Sequence, residues 1–186
     1  MDPLQLIAGI IGFSANIPLF IGICRNKIDQ SFATFMLWAL LDAIATITTI
    51  LQHGNYLLPL GYSFTAAAIT IALIVKKKIT WSWVESLTAL LVLVCLVLWY
   101  TIGDKAGTVA SSLAVVIATI PQAVDTYKKP EKTPAGIYFI YFLAATLSFI
   151  AGKTWTVEER FYSGSVIFLT AVIILFSMRK VIKPVQ

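Results

Sequence analysis

Two matching stretches, Ala15-Asn16-Ile17-Pro18 and Ala118-Thr119-Ile120-Pro121, decide how this chain folds. Each lies inside a long apolar segment, and the two are separated by 103 residues. A basic residue follows each proline at the same distance, Arg25 in the first stretch and Lys128 in the second. A match in sequence, position and flanking charge indicates an internal duplication.

The composition around these stretches is that of a membrane protein. Of 186 residues, 59% are hydrophobic and 12% are charged, and the mean hydropathy is +0.87. Soluble proteins are about 45–50% apolar and about 25% charged, so this chain lacks the polar surface that a soluble particle needs. The composition therefore excludes a soluble enzyme, a disordered chain and a disulfide-stapled secreted domain. Cys24 and Cys95 lie in apolar runs and indicate neither a disulfide framework nor a metal site.

Seven apolar segments are long enough to cross a bilayer as helices. A hydrocarbon core about 30 Å thick needs roughly 17–25 residues, and backbone in lipid must satisfy its own hydrogen bonds, which favours helices here. The predicted spans 1 to 7 are Leu4–Cys24, Phe32–Leu51, Leu57–Val75, Val84–Ile102, Gly107–Thr126, Ala135–Ala151 and Phe161–Met178. Because Met1-Asp2-Pro3 lacks the basic stretch of a signal peptide, we expect the first span to remain in the protein.

The basic residues predict the orientation of these spans. Eleven of the 14 follow spans 1, 3, 5 and 7, and three lie on the other side. Because Lys and Arg are concentrated in cytoplasmic loops, we expect a multi-pass protein of the cell membrane with its amino terminus outside and its carboxyl terminus in the cytoplasm. Topology thus explains the net charge of +5, and no nucleic-acid partner is expected.

Further matches extend the duplication to three spans per copy. Tyr62-Ser63-Phe64-Thr65 in span 3 matches Tyr162-Ser163-Gly164-Ser165 in span 7, and Thr70 matches Thr170, all at an offset of 100. Spans 1–3 therefore repeat as spans 5–7. Since a copy with an odd number of spans would invert its successor, span 4 restores the parallel orientation.

The predicted fold is thus an all-α membrane protein of seven helices in a 3+1+3 arrangement. A first three-helix repeat covers 1–78, a linker helix covers 79–106, and a second repeat with a cytoplasmic tail covers 107–186. Chance similarity between apolar helices is the alternative explanation of the matches.

Pro18 and Pro121 occupy equivalent interior positions of spans 1 and 5. An interior proline removes a helix hydrogen bond and clashes with the preceding turn, so both helices are expected to bend there. With Gln122, which follows the second proline, they are candidate hinges of a rocking transporter. Static kinks relieved by neighbouring helices are the alternative.

The residues around the second proline resemble a known family. Pro121-Gln122 is followed by Lys128-Lys129, Lys132-Thr133 and Gly136, whereas the first copy has Leu19 after Pro18 where the family has glutamine. On this motif the chain resembles the PQ-loop superfamily, which includes the SWEET sugar transporters and the lysosomal cystine and cationic amino-acid exporters. The resemblance covers nearly the whole chain, and it implies a small-solute transporter that works by alternating access.

Two aspartates in the spans are candidates for proton coupling, because ionisable groups at membrane depth are costly and are functional candidates by default. Asp42 lies mid-span without an adjacent basic residue, so it would be protonated much of the time. Its alternative is a neutral carboxyl group bonded to Asn16, Thr46 or a nearby hydroxyl. Asp125 stands where the resemblance implies a proton-coupling aspartate, and its alternative is an ion pair with Lys129.

Polar side chains at equivalent positions are the candidate substrate contacts. Asn16 and its counterpart Thr119 lie beside the bends, and spans 3 and 7 carry hydroxyls where the resemblance to SWEETs implies substrate contacts. These hydroxyl residues are Ser63, Ser163, Thr65, Ser165, Thr70 and Thr170. Tyr62 and Tyr162, near the outer ends of the same spans, are either gates or interfacial aromatics. Plain helix packing by small and hydroxyl residues is the alternative for the whole set.

The predicted function is transport of a small solute, proton-coupled or passive, with a sugar, an amino acid or a vitamin as the solute. Spans 3 and 7 lack asparagine, which departs from the sugar carriers. The alternative function is a membrane receptor or scaffold on the same fold that binds a ligand or peptide without transporting it. The expected partners are the solute, protons if transport is coupled, the lipid bilayer and, in one alternative, further copies of the chain.

Neither enzymatic activity nor a cofactor is expected. Span 7 has no lysine for a retinal Schiff base, and no span carries a His or Cys set for a metal or a nucleophile paired with a base. The single histidine, His53, lies at the outer end of a span and is expected to be solvated.

Overall fold

A computed structural model describes residues 2–26, 31–79, 81, 83–128, 130 and 135–179, with four of these (Val84, Glu85, Pro121 and Asp125) described without their side chains. The described residues form α-helices and no strand. The helices are α1 Pro3–Ala15, α2 Ile17–Cys24, α3 Phe32–Leu51, α4 Leu57–Val75, α5 Trp83–Ile102, α6 Asp104–Ala118, α7 Ile120–Lys128, α8 Ala135–Ile150 and α9 Val157–Ser177.

The helices follow the seven predicted segments closely. α3 and α4 have the predicted bounds, and α1 with α2, and α6 with α7, each cover one predicted segment. The largest difference is at the start of α9, which begins at Val157 instead of Phe161. Glu158 and Glu159 lie in its first turn, where negative side chains stabilise the positive end of the helix dipole. Apolar run length alone therefore placed this helix start too late.

Five of the predicted segments are long and apolar enough to cross a membrane. They are Pro3–Cys24, Phe32–Leu51, Leu57–Val75, Asp104–Lys128 and Val157–Ser177. The apolar part of α5 that runs over Ser86–Ile102 is shorter, and so is α8, Ala135–Ile150. Large apolar side chains are widely exposed, among them Val75, Leu93 and Phe168. These features are consistent with a multi-pass membrane protein.

Two of the segments are interrupted at equivalent positions. Asn16 separates α1 from α2, and Thr119 separates α6 from α7, at the same offset of 103 as the sequence match. Each break lies two residues before a proline, which has no N–H to donate to the carbonyl group four residues earlier. The helices are thus interrupted where bends were expected, slightly ahead of Pro18 and Pro121.

Six segments close into a ring, and α5 lies against its outside. α1 packs on α4 and α8, α3 packs on α4 and α6, and α9 packs on α6 and α8. α2 continues along α4, α7 continues along α9, and α5 packs on α3 and α6. Small residues in the core, Ala45, Ala144 and Ala145, are fully buried and let the helices approach closely.

At one end of the ring, hydrogen bonds join the connection between α3 and α4 to α8 and α9. At this end, called the Asn55 end, α3 and α8 finish and α4 and α9 begin. The Asn55 N–H donates to the Glu158 carbonyl at 3.0 Å, and Asn55 Nδ2 donates to the Ser148 carbonyl at 2.8 Å. The Asn55 Oδ1 and Glu158 Oε2 atoms are buried without a hydrogen-bond partner among the described residues. The opposite end, where α2, α4, α7 and α9 finish, is called the Lys76 end.

Arg160 stabilises the carboxyl end of α8. Its Nη1 donates at 2.5 Å to the carbonyl of Phe149, in the last turn of α8, and its Nη2 donates at 2.6 Å to the Gly152 carbonyl just beyond the helix. The guanidinium carbon lies 4.3 Å from the centre of the Trp155 ring, a cation–π distance. A cation at a helix carboxyl terminus satisfies carbonyl groups and opposes the helix dipole, so this arginine has a structural role.

Gly54 provides a test of the contact at the Asn55 end. A Cβ atom added there would lie 2.4 Å from the Glu158 carbonyl oxygen, whereas one added at Gly136 would have no neighbour within 4 Å. We expect Gly54→Ala to lower the free energy of unfolding by about 1–3 kcal/mol, the usual cost of overpacking. Gly136→Ala is the matched control and should not lower it. Thermal unfolding in detergent measures both, and equal stability of the two variants would contradict the close contact.

Candidate functional site

A cluster of buried polar side chains lies inside the ring. It consists of Asn16, Asp42, Tyr62 and Tyr162, which are buried, and Tyr141, which is half-buried, and is called the tyrosine cluster below. Each residue comes from a different element: the break after α1, then α3, α4, α8 and α9. Asn16, Asp42 and Tyr162 are 7%, 5% and 5% exposed. Buried polar groups need hydrogen-bond partners, so the bonds within the cluster decide how it is held.

Asp42 is held by a tyrosine. The Tyr162 hydroxyl donates to Asp42 Oδ1 at 2.7 Å, which joins α3 to α9. Thr46 Oγ1 donates to the Asp42 backbone carbonyl at 2.7 Å rather than to its carboxyl group. The partner of this carboxyl group is therefore a hydroxyl group on another helix, and proton coupling by Asp42 stays a prediction.

Asn16 uses both ends of its amide at the helix break. Its Nδ2 donates to Thr65 Oγ1 on α4 at 2.7 Å, and its Oδ1 accepts from the Tyr141 hydroxyl on α8. The break is thus bonded to two different helices. Asn16 and Tyr141 connect the two predicted repeats, as Asp42 and Tyr162 do.

Tyr62 lies between the other two tyrosines. Its ring centre is 5.4 Å from that of Tyr141 and 6.4 Å from that of Tyr162. Its hydroxyl oxygen is buried and has no hydrogen-bond partner among the described residues. Since a buried hydroxyl is normally bonded, this group can donate to or accept from a bound solute.

The other predicted substrate contacts divide into two sets. Ser63 Oγ donates to the Ala39 carbonyl at 3.1 Å, and Ser163 Oγ lies 2.8 Å from Ser148 Oγ, so these two serines bridge neighbouring helices. The remaining hydroxyls donate to carbonyl groups of their own helix. They are Thr70, Thr119, Ser165 and Thr170. The structure brings Asn16 and Thr65 to the tyrosine cluster. Among the described residues, none of the other four hydroxyl groups is hydrogen-bonded to a different segment.

The residues of the second proline motif are described in part. Gln122 Nε2 donates to Thr126 Oγ1 at 3.4 Å within α7. The side chains of Pro121 and Asp125, and the whole of Lys129, lie outside the described residues. The choice between an ion pair and proton coupling for Asp125 therefore stays a prediction.

Sequence reasoning missed Tyr141 as a member of the site. It is the seventh residue of the 16-residue helix α8, and a phenol hydroxyl placed mid-segment needs a partner when buried. That position was the available signal.

A second polar contact, between α3 and α6, was also missed. Gln52 Nε2 donates to Thr108 Oγ1 at 2.8 Å, and Thr108 Oγ1 donates to Thr48 Oγ1 at 2.8 Å. The pair Thr48 and Gln52, four residues apart on one helix face, was its signal.

The polar side chains do not form a metal site among the described residues. In the part of the chain that the structure describes, no three His, Cys, Asp or Glu side chains are grouped to hold a metal ion. The tyrosine cluster combines hydroxyl, amide and carboxyl groups with aromatic rings, which suits binding of a small polar solute by hydrogen bonds and ring contacts.

Comparison of the chain with protein-family models, with curated proteins and with solved structures gives no match. Its function must therefore be inferred from its own geometry.

Removal of one hydroxyl tests the bond between α3 and α9. We expect Tyr162→Phe to lower the free energy of unfolding by about 1–2 kcal/mol, because Asp42 Oδ1 loses its donor while the ring is kept. Tyr100→Phe is the matched control, since Tyr100 is 90% exposed, and it should have no effect. In the Asp42→Asn background the cost of Tyr162→Phe should differ from its cost in the original protein. Equal costs in the two backgrounds, measured by thermal unfolding in detergent, would contradict the bond.

Proposed function

We propose that the protein is a membrane transporter of the PQ-loop type that moves a small polar solute by alternating access. The observation that carries this proposal is the tyrosine cluster, in which the bonds Asn16–Tyr141 and Asp42–Tyr162 each join one predicted repeat to the other. In transporters with parallel repeats, the solute binds between the repeats near the middle of the membrane. A buried polar cluster at such an interface is the arrangement that this mechanism needs.

The pattern of helix contacts supports a 3+1+3 arrangement. Suppose that α1 is exchanged with α6, α3 with α8, and α4 with α9. The contact between α1 and α4 then becomes the contact between α6 and α9. The same exchange converts α3 on α4 into α8 on α9, and α1 on α8 into α6 on α3, and all of these contacts are present. This exchange of contacts favours a duplication over chance similarity between apolar helices. In this proposal α5 is the linker, and all seven segments cross the membrane.

Alternating access would use the two ends of the ring in turn. The Asn55 end is closed by hydrogen bonds between the two helix connections. At the Lys76 end, α2 packs along α4 and α7 along α9, so each broken half-segment stays with its own repeat. In the proposed cycle the repeats separate at the Lys76 end while the Asn55 end is closed, and the breaks at Asn16 and Thr119 permit the half-segments to tilt. Pro18, Pro121 and Gln122 remain the hinge residues of this proposal.

Flux measurements test the transport function. The protein is reconstituted in proteoliposomes, and uptake is measured over a panel of sugars, amino acids and vitamins with and without an inward proton gradient. We expect uptake of at least one solute, accelerated by the gradient, because protonation of Asp42 removes its charge from the apolar interior. Asp42→Asn should abolish the acceleration, whereas the control Asp104→Asn should retain it.

The outcomes of this experiment separate the candidate functions. Absence of flux over the whole panel would contradict a transporter. Binding of a solute without flux would favour the receptor or scaffold instead. Flux that ignores the gradient in the unmodified protein would show a passive carrier and would remove the proposed role of Asp42.

Labelling of introduced cysteines tests the proposed orientation. Lys105 and Lys128 are exposed residues near opposite ends of α6 and α7, which form one predicted span. In a chain carrying Cys24→Ser and Cys95→Ala, we expect Lys105→Cys to react with an impermeant maleimide on intact cells. Lys128→Cys should react only after permeabilisation, because basic connections are retained in the cytoplasm. The reverse pattern would contradict an outer amino terminus.

A further inference from the structure

The first and third segments of the first repeat meet through glycines. A Cβ atom added at Gly9 would lie 3.1 Å from the Leu57 carbonyl oxygen, and one added at Gly12 would lie 2.9 Å from Tyr62 Cε1. A Cβ atom added at Gly61 would lie 3.1 Å from the Gly9 carbonyl oxygen. These distances leave no space for a larger side chain, so α1 and α4 are in close contact along this face.

The equivalent joint of the second repeat carries larger side chains. At the offsets of the sequence matches, Ser112 and Val115 of α6 correspond to Gly9 and Gly12, and Phe161 of α9 corresponds to Gly61. Larger side chains hold two helices further apart. The two joints therefore have the same place in the fold and different packing.

A narrow cleft separates α6 from α9 at this joint. The cleft is too narrow to admit a water molecule, and its walls include Ser112, Val115, Tyr162 and Ser165. These residues are the counterparts of Gly9, Gly12, Tyr62 and Thr65. The gap thus lies where the first repeat is filled by direct helix contact.

The hydrogen bonds at the two helix breaks also differ between the repeats, and they do not depend on the glycines or the cleft. In the first repeat Asn16 Nδ2 donates to Thr65 Oγ1 at 2.7 Å and so bonds the break to α4. In the second repeat Thr119 Oγ1 donates to the Val115 carbonyl at 2.7 Å, within its own segment. Ser165 Oγ, the counterpart of Thr65 Oγ1, donates to the Phe161 carbonyl at 3.0 Å. No side-chain bond joins Thr119 to Ser165 in the described structure.

We propose that the two repeats move unequally: α6 shifts against α9, while α1 and α4 move as one body. Close packing resists deformation, whereas an incompletely packed interface has room for a second arrangement. Tyr162 lines the cleft and donates to Asp42, so the shift changes the space beside the tyrosine that holds the carboxyl group. Its counterpart Tyr62 packs directly against Gly12, where an added Cβ atom would lie 2.9 Å from the tyrosine ring. The proposal rests on the transport function for its purpose, but its geometry can be tested without a solute.

Matched pairs of spin labels provide the test. Ile10 and Ala68 are exposed positions on α1 and α4, and Leu113 and Phe168 are their exposed counterparts on α6 and α9. Each pair is replaced by cysteines in the full chain carrying Cys24→Ser and Cys95→Ala, labelled, and placed in lipid nanodiscs. Double electron–electron resonance then gives two distance distributions. We expect the Leu113–Phe168 distribution to be wider than the Ile10–Ala68 distribution or to contain a second population. A Leu113–Phe168 distribution as narrow as the Ile10–Ala68 one, or narrower, would overturn the proposal.

Substitutions in the wall of the cleft test whether loose packing causes the wider Leu113–Phe168 distance distribution. Ser112→Gly with Val115→Gly gives α6 the glycines of α1, and we expect the Leu113–Phe168 distribution to lose its excess width. Ile117→Gly places a glycine on the exposed side of the same helix and should leave the distribution unchanged. If Ile117→Gly alone narrows it to the same extent, backbone substitution rather than packing explains the result and the proposal fails.

Failure of this proposal is distinguishable from failure of the transport function. Solute flux with equal distance distributions would leave transport intact and exclude unequal motion. Unequal distributions without flux over the panel would leave the mobile joint intact and exclude transport as its purpose.

Discussion

The architecture depends on two places where a helix in apolar surroundings cannot complete its backbone hydrogen bonds. Pro18 cannot donate to the Ser14 carbonyl, and Pro121 cannot donate to the Ile117 carbonyl, so the chain breaks at the residues between. In lipid an unsatisfied carbonyl group is costly, and polar side chains or neighbouring helices must compensate. A polar residue stands at each break, Asn16 at the first and Thr119 at the second, and the first break adjoins the tyrosine cluster.

Tyrosine suits the interior of such a ring. Its ring fills apolar space between helices while its hydroxyl reaches one polar group. Tyr141 and Tyr162 use their hydroxyls to join helices that are distant in sequence, through an amide and a carboxyl group respectively. These bonds need no buried cation, and in the proposed transporter each is exchanged for a bond to a solute hydroxyl or amine. The ring is thereby held by contacts that a polar ligand can replace.

Local sequence features predicted most of the fold. The bounds of α3 and α4 follow from apolar run length, and the breaks at Asn16 and Thr119 follow from the prolines, because both effects act within a few residues. The predicted start of α9 is too late because apolar run length excludes charged residues, although acidic residues are favourable in the first turn of a helix. Asp42 and Asn16 were identified because polar groups are rare at mid-segment.

Partners of the site residues could not be predicted in the same way. Tyr141 meets Asn16, and Ser148 meets Asn55, only because α8 packs against α1 and because the α8–α9 connection lies beside that of α3–α4. Such contacts depend on which helices adjoin, which the sequence of one segment does not specify. The hydroxyls of Thr70 and Thr170 were ambiguous for a different reason. A threonine in a helix can donate to its own backbone as readily as to a neighbour, so its presence in a span does not reveal its partner.

The closed Asn55 end has a consequence for how easily the protein changes state. Its hydrogen bonding is incomplete, since Asn55 Oδ1 and Glu158 Oε2 are buried there without a donor in the part of the chain that the structure describes. Each such oxygen costs about 1–3 kcal/mol relative to a hydrated one. The closure is thus weaker than its contacts suggest, and opening would return both oxygens to water. In the proposed transporter, an end built in this way closes the interior reversibly, so that modest interaction energy elsewhere in the molecule is enough to release it.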